Sequence, residues 1–178
     1  MPSALERSKA LFIRRWGELS GYWGINRTMA ELHALLYISA EPLCTDDIMA
    51  ALQISRGNAS MNIRQLVDWG LISRQHRKGD RKEYFTAETN VWEMFQCIVR
   101  ERRRREVEPI IETIERCRKM AAEEIETLNE AERQQAEIYG RRLDDLAEFL
   151  NAVNALLNAL LSSGQPGIAM LKASLPPS

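Results

Sequence analysis

Residues 45–87 read TDDIMAALQISRGNASMNIRQLVDWGLISRQHRKGDRKEYFTA. Thr45 is placed to cap a short helix that ends near Leu52. Gln53-Ile54-Ser55 makes a tight turn, and Ser55 can cap a second helix running from Arg56 to about Trp69. Gly70 falls where a helix end takes a left-handed residue. Two short segments follow, Leu71–Gln75 and Glu83–Ala87, joined by the charged tip Arg77-Lys78-Gly79-Asp80-Arg81-Lys82. A helix, a turn, a second helix and a basic hairpin describe a winged helix-turn-helix. The expected fold class is therefore mainly α with a small β-wing.

The spacing inside the second helix assigns its faces. Ala59, Ile63 and Leu66 recur at three- and four-residue intervals and share one side. That leaves Arg56, Asn58, Ser60, Met61 and Arg64 facing away from the core. Arginine and asparagine can make paired hydrogen bonds to guanine and adenine edges, and serine can bond a base or a phosphate. The plainer alternative is an amphipathic helix with a solvated polar face. Charge separates the two readings. Residues 55–82 hold seven Lys or Arg (56, 64, 74, 77, 78, 81 and 82) against two acids (68 and 80). A local positive excess of this kind is the footprint of a phosphate-backbone partner. The hairpin residues Arg77, Lys78, Arg81 and Lys82 join the helix residues as expected contacts to double-stranded DNA.

The run Leu66-Val-Asp-Trp-Gly70-Leu-Ile72, followed by Gly79-Asp-Arg-Lys-Glu-Tyr-Phe-Thr86, resembles the MarR-type winged-helix transcription regulators. Gly79–Phe85, then Trp92, then Glu101-Arg-Arg-Arg-Arg-Glu106 is similar to the GbsR-like branch of that group. The resemblance runs from the first helix to about residue 120. It implies that the second helix enters the major groove, that Arg81 reaches the adjacent minor groove, and that Asp80 helps hold the wing. It also implies a homodimer on a pseudo-palindromic operator, usually a repressor. Through the GbsR branch it points to a choline-like effector.

Outward from this unit, Ser3 can cap a helix over 3–20 with Leu5, Phe12, Trp16 and Leu19 on one stripe. Thr28 is placed to cap a helix reaching about Ala40, which Glu41-Pro42 ends. From Glu88 the chain turns helical again, with Val91, Phe95, Ile98 and Val99 on one face. Five arginines in 100–106 are either a second phosphate patch or a solvated face laced with Glu101 and Glu106. Pro109 kinks or restarts the helix, and Ile110, Ile111 and Ile114 resume an apolar stripe toward Ile125. Thr127-Leu-Asn-Glu130 has capping-box spacing before a long helix to about Leu161, which Gly164-Gln-Pro-Gly167 ends. The domains expected are an N-terminal helix over 1–21 in a dimer interface, the DNA-binding unit over 22–87 and a helical dimerisation region over 88–178. From Phe149 to Ser178 the only charge is Lys172. So apolar a helix fits burial against a second copy of the chain or against the N-terminal helix.

The whole chain of 178 residues carries a formal charge of −1, so affinity for nucleic acid must come from charge segregation. Residues 123–148 hold nine acids and three arginines, an acidic counterpart to the basic unit. No run of 18 apolar residues exists, which predicts no membrane span. Nor does the start have the uninterrupted apolar core of a signal peptide. Cys44, Cys97 and Cys117 lie far apart, as expected of a reducing cytoplasm. His33 and His76 have no ligand-spaced partner, which predicts no metal, and nothing calls for a cofactor. No catalytic constellation is present, so an enzyme is not expected. Trp16, Tyr22, Trp23 and Trp92 could supply the aromatic walls of a quaternary-ammonium site. Aromatics at helical spacing are also ordinary core. The alternative to a DNA-binding regulator is a winged-helix adaptor that binds protein and never DNA.

Overall fold

The chain is described by a computed structural model covering residues 2–123 and 128–162, with the side chains of Trp23 and Leu160 left aside. It divides into two compact units, Met1–Cys97 and Ile98–Ser178.

In the first unit, Ser3 caps α1 (Ala4–Leu19) as its position predicts. The Ser3 hydroxyl accepts from the Glu6 N–H at 3.1 Å, and the Glu6 carboxylate accepts from the Ser3 N–H. The expected apolar stripe is covered only in its middle. Phe12 and Trp16 are half-buried with ring centroids 5.5 Å apart, while Leu5, Leu11 and Leu19 stay exposed. Gly17 is where α1 closes on the next helix. A Cβ there would lie 2.4 Å from the Glu31 Cγ, so only glycine fits without moving that side chain.

α2 (Arg27–Ile38) is the centre of the core, with Met29, Ala30, Leu32, Ala34 and Leu36 buried. Its cap is Asn26 rather than the expected Thr28. The Asn26 Oδ1 accepts from the Met29 N–H at 2.8 Å while its Nδ2 donates to the Asn62 Oδ1 at 2.9 Å. One side chain thus serves the cap and a tertiary contact, which leaves Thr28 inside the first turn. The helix also stops at Ile38, two residues short of the expected Ala40. The Ser39 hydroxyl donates to the Leu35 carbonyl at 2.6 Å on an already extended backbone.

β1 (Leu43–Cys44) pairs antiparallel with β3 (Glu83–Ala87), setting Leu43 opposite Phe85 and Cys44 opposite Tyr84. β2 (Ile72–His76), one residue later than expected, pairs with the other edge of β3, so the sheet order is β1-β3-β2. Pairing holds Cys44 extended, and it becomes the cap of α3 (Thr45–Leu52) in place of the expected Thr45. The Asp47 carboxylate completes the cap by accepting from the Cys44 N–H at 2.9 Å.

α4 (Arg56–Asp68) starts as read: the Ser55 hydroxyl accepts from the Asn58 N–H at 3.3 Å. Ala59, Ile63 and Leu66 are buried together. The end is a Schellman arrangement, with Gly70 N–H donating to Val67 and Leu71 N–H to Leu66. Gly70 has φ 75°, and a Cβ there would also sit 3.3 Å from the Cys97 Sγ. These two constraints together select glycine.

The boundary between the units falls within α5 (Val91–Arg102). A wider, π-type turn over Arg103–Val107 leads into α6 (Glu108–Glu123). Pro109 has no N–H and its ring crowds the carbonyl one turn back, so the helix widens before it and continues. α7 (Glu130–Ser162) is capped by Asn129, whose Oδ1 accepts from the Glu132 N–H at 3.0 Å. The Asn129 N–H donates in return to the Glu132 carboxylate at 2.9 Å. Thr127 of the expected box, Ile125 and the Gly164–Gly167 stop lie outside the described residues. Arg118 ties α6 to α7 through Asp144 at 2.7 Å, and Ile114 and Ala147 are buried. Leu146, Phe149 and Leu156 of α7 remain exposed. Among the described residues no helix is long and apolar enough to cross a membrane.

Candidate nucleic-acid interface

The interface begins with α4, whose buried stripe fixes which side chains face outward. Arg56, Ser60, Met61 and Arg64 are exposed, as their spacing requires. Asn58 is half-buried instead. Its backbone carbonyl and its Oδ1 accept from the Asn62 Nδ2 at 2.9 and 2.7 Å. Asn62 is 0% exposed and carries the Asn26 contact on its other end. Three asparagines thus lock the start of α4 to the start of α2. Asn58 therefore serves to hold the helix in place.

The wing is held by its own residues. One Asp80 carboxylate oxygen accepts from the Lys82 N–H at 2.9 Å and the other from the Tyr84 hydroxyl at 2.7 Å. These bonds, the Lys82 N–H first, draw the Asp80 carboxyl below the usual carboxylate range. The Arg77 guanidinium lies 4.3 Å from the Tyr84 ring centroid and 3.4 Å from the Glu41 carboxylate. The hairpin tip therefore has a defined shape, even though its side chains are solvated.

The basic residues of α4 and the wing fall into two groups. Arg64, Arg74, Lys78 and Arg81 are exposed and make no ion pair with any described residue. Arg56 and Lys82 converge on one acid, Asp46 in the first turn of α3. The Arg56 Nη2 is 2.5 Å from its Oδ1 and the Lys82 Nζ 3.3 Å from its Oδ2. Asp46 thereby places the start of α4 beside the base of the wing. Asp46, Glu41 and Asn62 contact the candidate residues, and the sequence pattern did not mark them. Asp46 and Glu41 lie outside the basic run, and their partners are distant in the chain. Asn62 sits on the buried face beside Ile63.

Of the aromatic residues expected at an effector site, the described side chains of Trp16, Tyr22 and Trp92 line no common cavity. Trp16 lines a cavity of about 230 Å³ with Phe12, His33, Tyr37, Val91 and Met94. Tyr22 is 87% exposed, and Trp92 is 6% exposed and stacks on Phe95 at 5.3 Å. The Trp23 side chain lies outside the described residues. His33 is 5% exposed, and its Nε2 has no hydrogen-bond partner among the described residues. Burial lowers its pKa to about 4, so the cavity wall is uncharged at neutral pH.

A three-helix core carrying a helix-turn-helix and a three-stranded wing defines the class, a winged-helix protein. Residues 23–83, which span the helix-turn-helix and most of the wing, match the model of the MarR family. The HTH-type transcriptional repressor GbsR of Bacillus subtilis (strain 168) is 26% identical over 113 residues, 64% of this chain and 62% of that protein. The HTH-type transcriptional regulator YvaV of the same organism is 22% identical over 91 residues, 51% of each chain. The matched regions thus span between half and two thirds of these relatives' lengths. A crystal structure of a transcriptional regulator superposes with a TM-score of 0.57 at 24% identity, covering 86% of this chain and 95% of that one. That likeness is one of fold.

Proposed function

We infer that this chain is a DNA-binding regulator of transcription, acting as a homodimeric repressor on a pseudo-palindromic operator. The observation that carries the reading is the adjacency of α4 and the wing, both basic, with Arg64 and Arg81 exposed and unpaired among the described residues. Arg56, Ser60, Met61 and Arg64 approach base edges and flanking phosphates, with Asn58 at the margin. Arg77, Lys78, Arg81 and Lys82 lie along the backbone and minor groove. The exposed Leu5, Leu11 and Leu19 of α1, and Phe149 and Leu156 of α7, support association with a second copy. Cys44, Cys97 and Cys117 form no disulfide with one another, in keeping with a reducing cytoplasm.

The α1–α2–α5 cavity, which Trp16 lines, supports an effector site. Trp16, Phe12 and Tyr37 offer ring surface, and a neutral His33 puts no positive charge in the way of a choline-like cation.

Footprinting of the purified chain on its own upstream DNA tests the reading. The expected result is two inverted protected half-sites about one helical turn apart, with protection altered by choline. Equal binding to every duplex would contradict sequence-specific regulation. Binding to no duplex would favour the adaptor.

A further inference from the structure

Asp46 sits on the surface assigned to DNA and has the wrong charge for it. Its carboxylate receives Arg56 from the first residue of α4 and Lys82 from the base of the wing, at 2.5 and 3.3 Å. The cap of α3 does not need it, because Asp47 already closes on the Cys44 N–H. Nor does it hold a core together, since its side chain is 47% exposed and those of its partners more so. Exposed pairs of this kind contribute little to folding. The contacts with Lys82 and then Arg56 draw the Asp46 carboxyl below its ordinary range, and Asp46 in turn raises Lys82. The carboxylate is therefore ionised at every pH at which the protein would meet DNA.

We propose that Asp46 is a specificity-determining residue: it occupies two cations that would otherwise grip any phosphate backbone. The inference rests on the DNA-binding reading above. Non-specific binding is almost wholly phosphate neutralisation, so each cation withheld weakens it directly. A loosely seated complex adapts to whatever cations are free and gains fully when they are released. On the operator, base contacts from α4 fix the register, and Arg56 and Lys82 cannot shift to the nearest phosphate. The operator complex therefore gains less from their release, and the carboxylate widens the gap between the two kinds of site.

The test is Asp46→Asn, which keeps the side chain's shape and removes its charge. Binding to a random-sequence duplex and to the footprinted site is measured by fluorescence anisotropy across a salt titration. For the random duplex the variant binds about tenfold more tightly at low salt, with a salt slope steeper by about 0.9 for each phosphate gained. Affinity for the footprinted site rises by a smaller factor. Adding Arg56→Ala and Lys82→Ala to Asp46→Asn removes the gain. Unchanged or weaker binding of the random duplex by folded Asp46→Asn would overturn the proposal, as would a gain that survives loss of both cations. If the parent protein binds neither duplex even at low salt, the DNA-binding reading itself fails, and Asp46 with it.

Discussion

With alanine at both Arg64 and Arg81, affinity for the operator falls by about 100-fold, each arginine contributing the 1–3 kcal/mol typical of a groove contact. Both side chains are exposed and ion-paired to no described residue, so their loss leaves the fold alone. The circular dichroism spectrum and thermal midpoint of the variant match the parent. The single variants separate the roles. Arg64→Ala relaxes preference at one base position of the half-site. Arg81→Ala weakens all duplexes alike and makes the salt slope shallower by about one. An anisotropy titration in which the double variant equals the parent at every salt concentration would remove both residues from the interface.

Acid destabilises the first unit through His33. Its ring is buried in the α1–α2–α5 cavity wall, and burial lowers its pKa from 6.5 to about 4. The unfolded chain therefore takes up a proton between these two values while the folded chain does not. Because the unfolded state binds more protons, stability rises with pH through this window and falls as the solution is acidified. The full effect is a loss of about 3 kcal/mol between pH 6.5 and 4, at 1.36 kcal/mol per pH unit. Urea midpoints measured from pH 7 to pH 4 trace it. His33→Gln, which cannot take up the proton, flattens that dependence, although it shifts the midpoint at pH 7 as well. A His33→Gln curve parallel to the parent's would show that the acid sensitivity originates elsewhere.

The parts of the fold governed by local chemistry were legible. Ser55, the Ala59–Ile63–Leu66 spacing and Gly70 mark the start, face and end of α4 within sixteen residues, and the helix forms there. The wing was legible for the same reason: its two strands flank a glycine-containing charged tip. Features decided by distant partners were not. Thr28 and Thr45 both have cap chemistry, but Asn26 gains a second bond to Asn62 and Cys44 is held extended by β3. β1 has two residues and carries no periodicity to read. Asn58 counts as polar and outward by spacing, yet Asn62 draws it inward. Asp46 lies ten residues before Arg56 and Glu41 thirty-six before Arg77, so a count of charges between 55 and 82 could not include them. Aromatic spacing along the chain likewise does not say which rings meet. Trp16 meets Phe12 of its own helix in a tilted pair, Trp92 stacks on Phe95 of its own helix, and Tyr22 is exposed.

Sedimentation of the purified chain mixed with a duplex carrying its footprinted site tests the central claim most directly, because it counts the chains on the DNA. Two chains per duplex, dissociating together as salt rises, are expected. One chain per duplex, or a complex whose affinity does not change with salt, would contradict it.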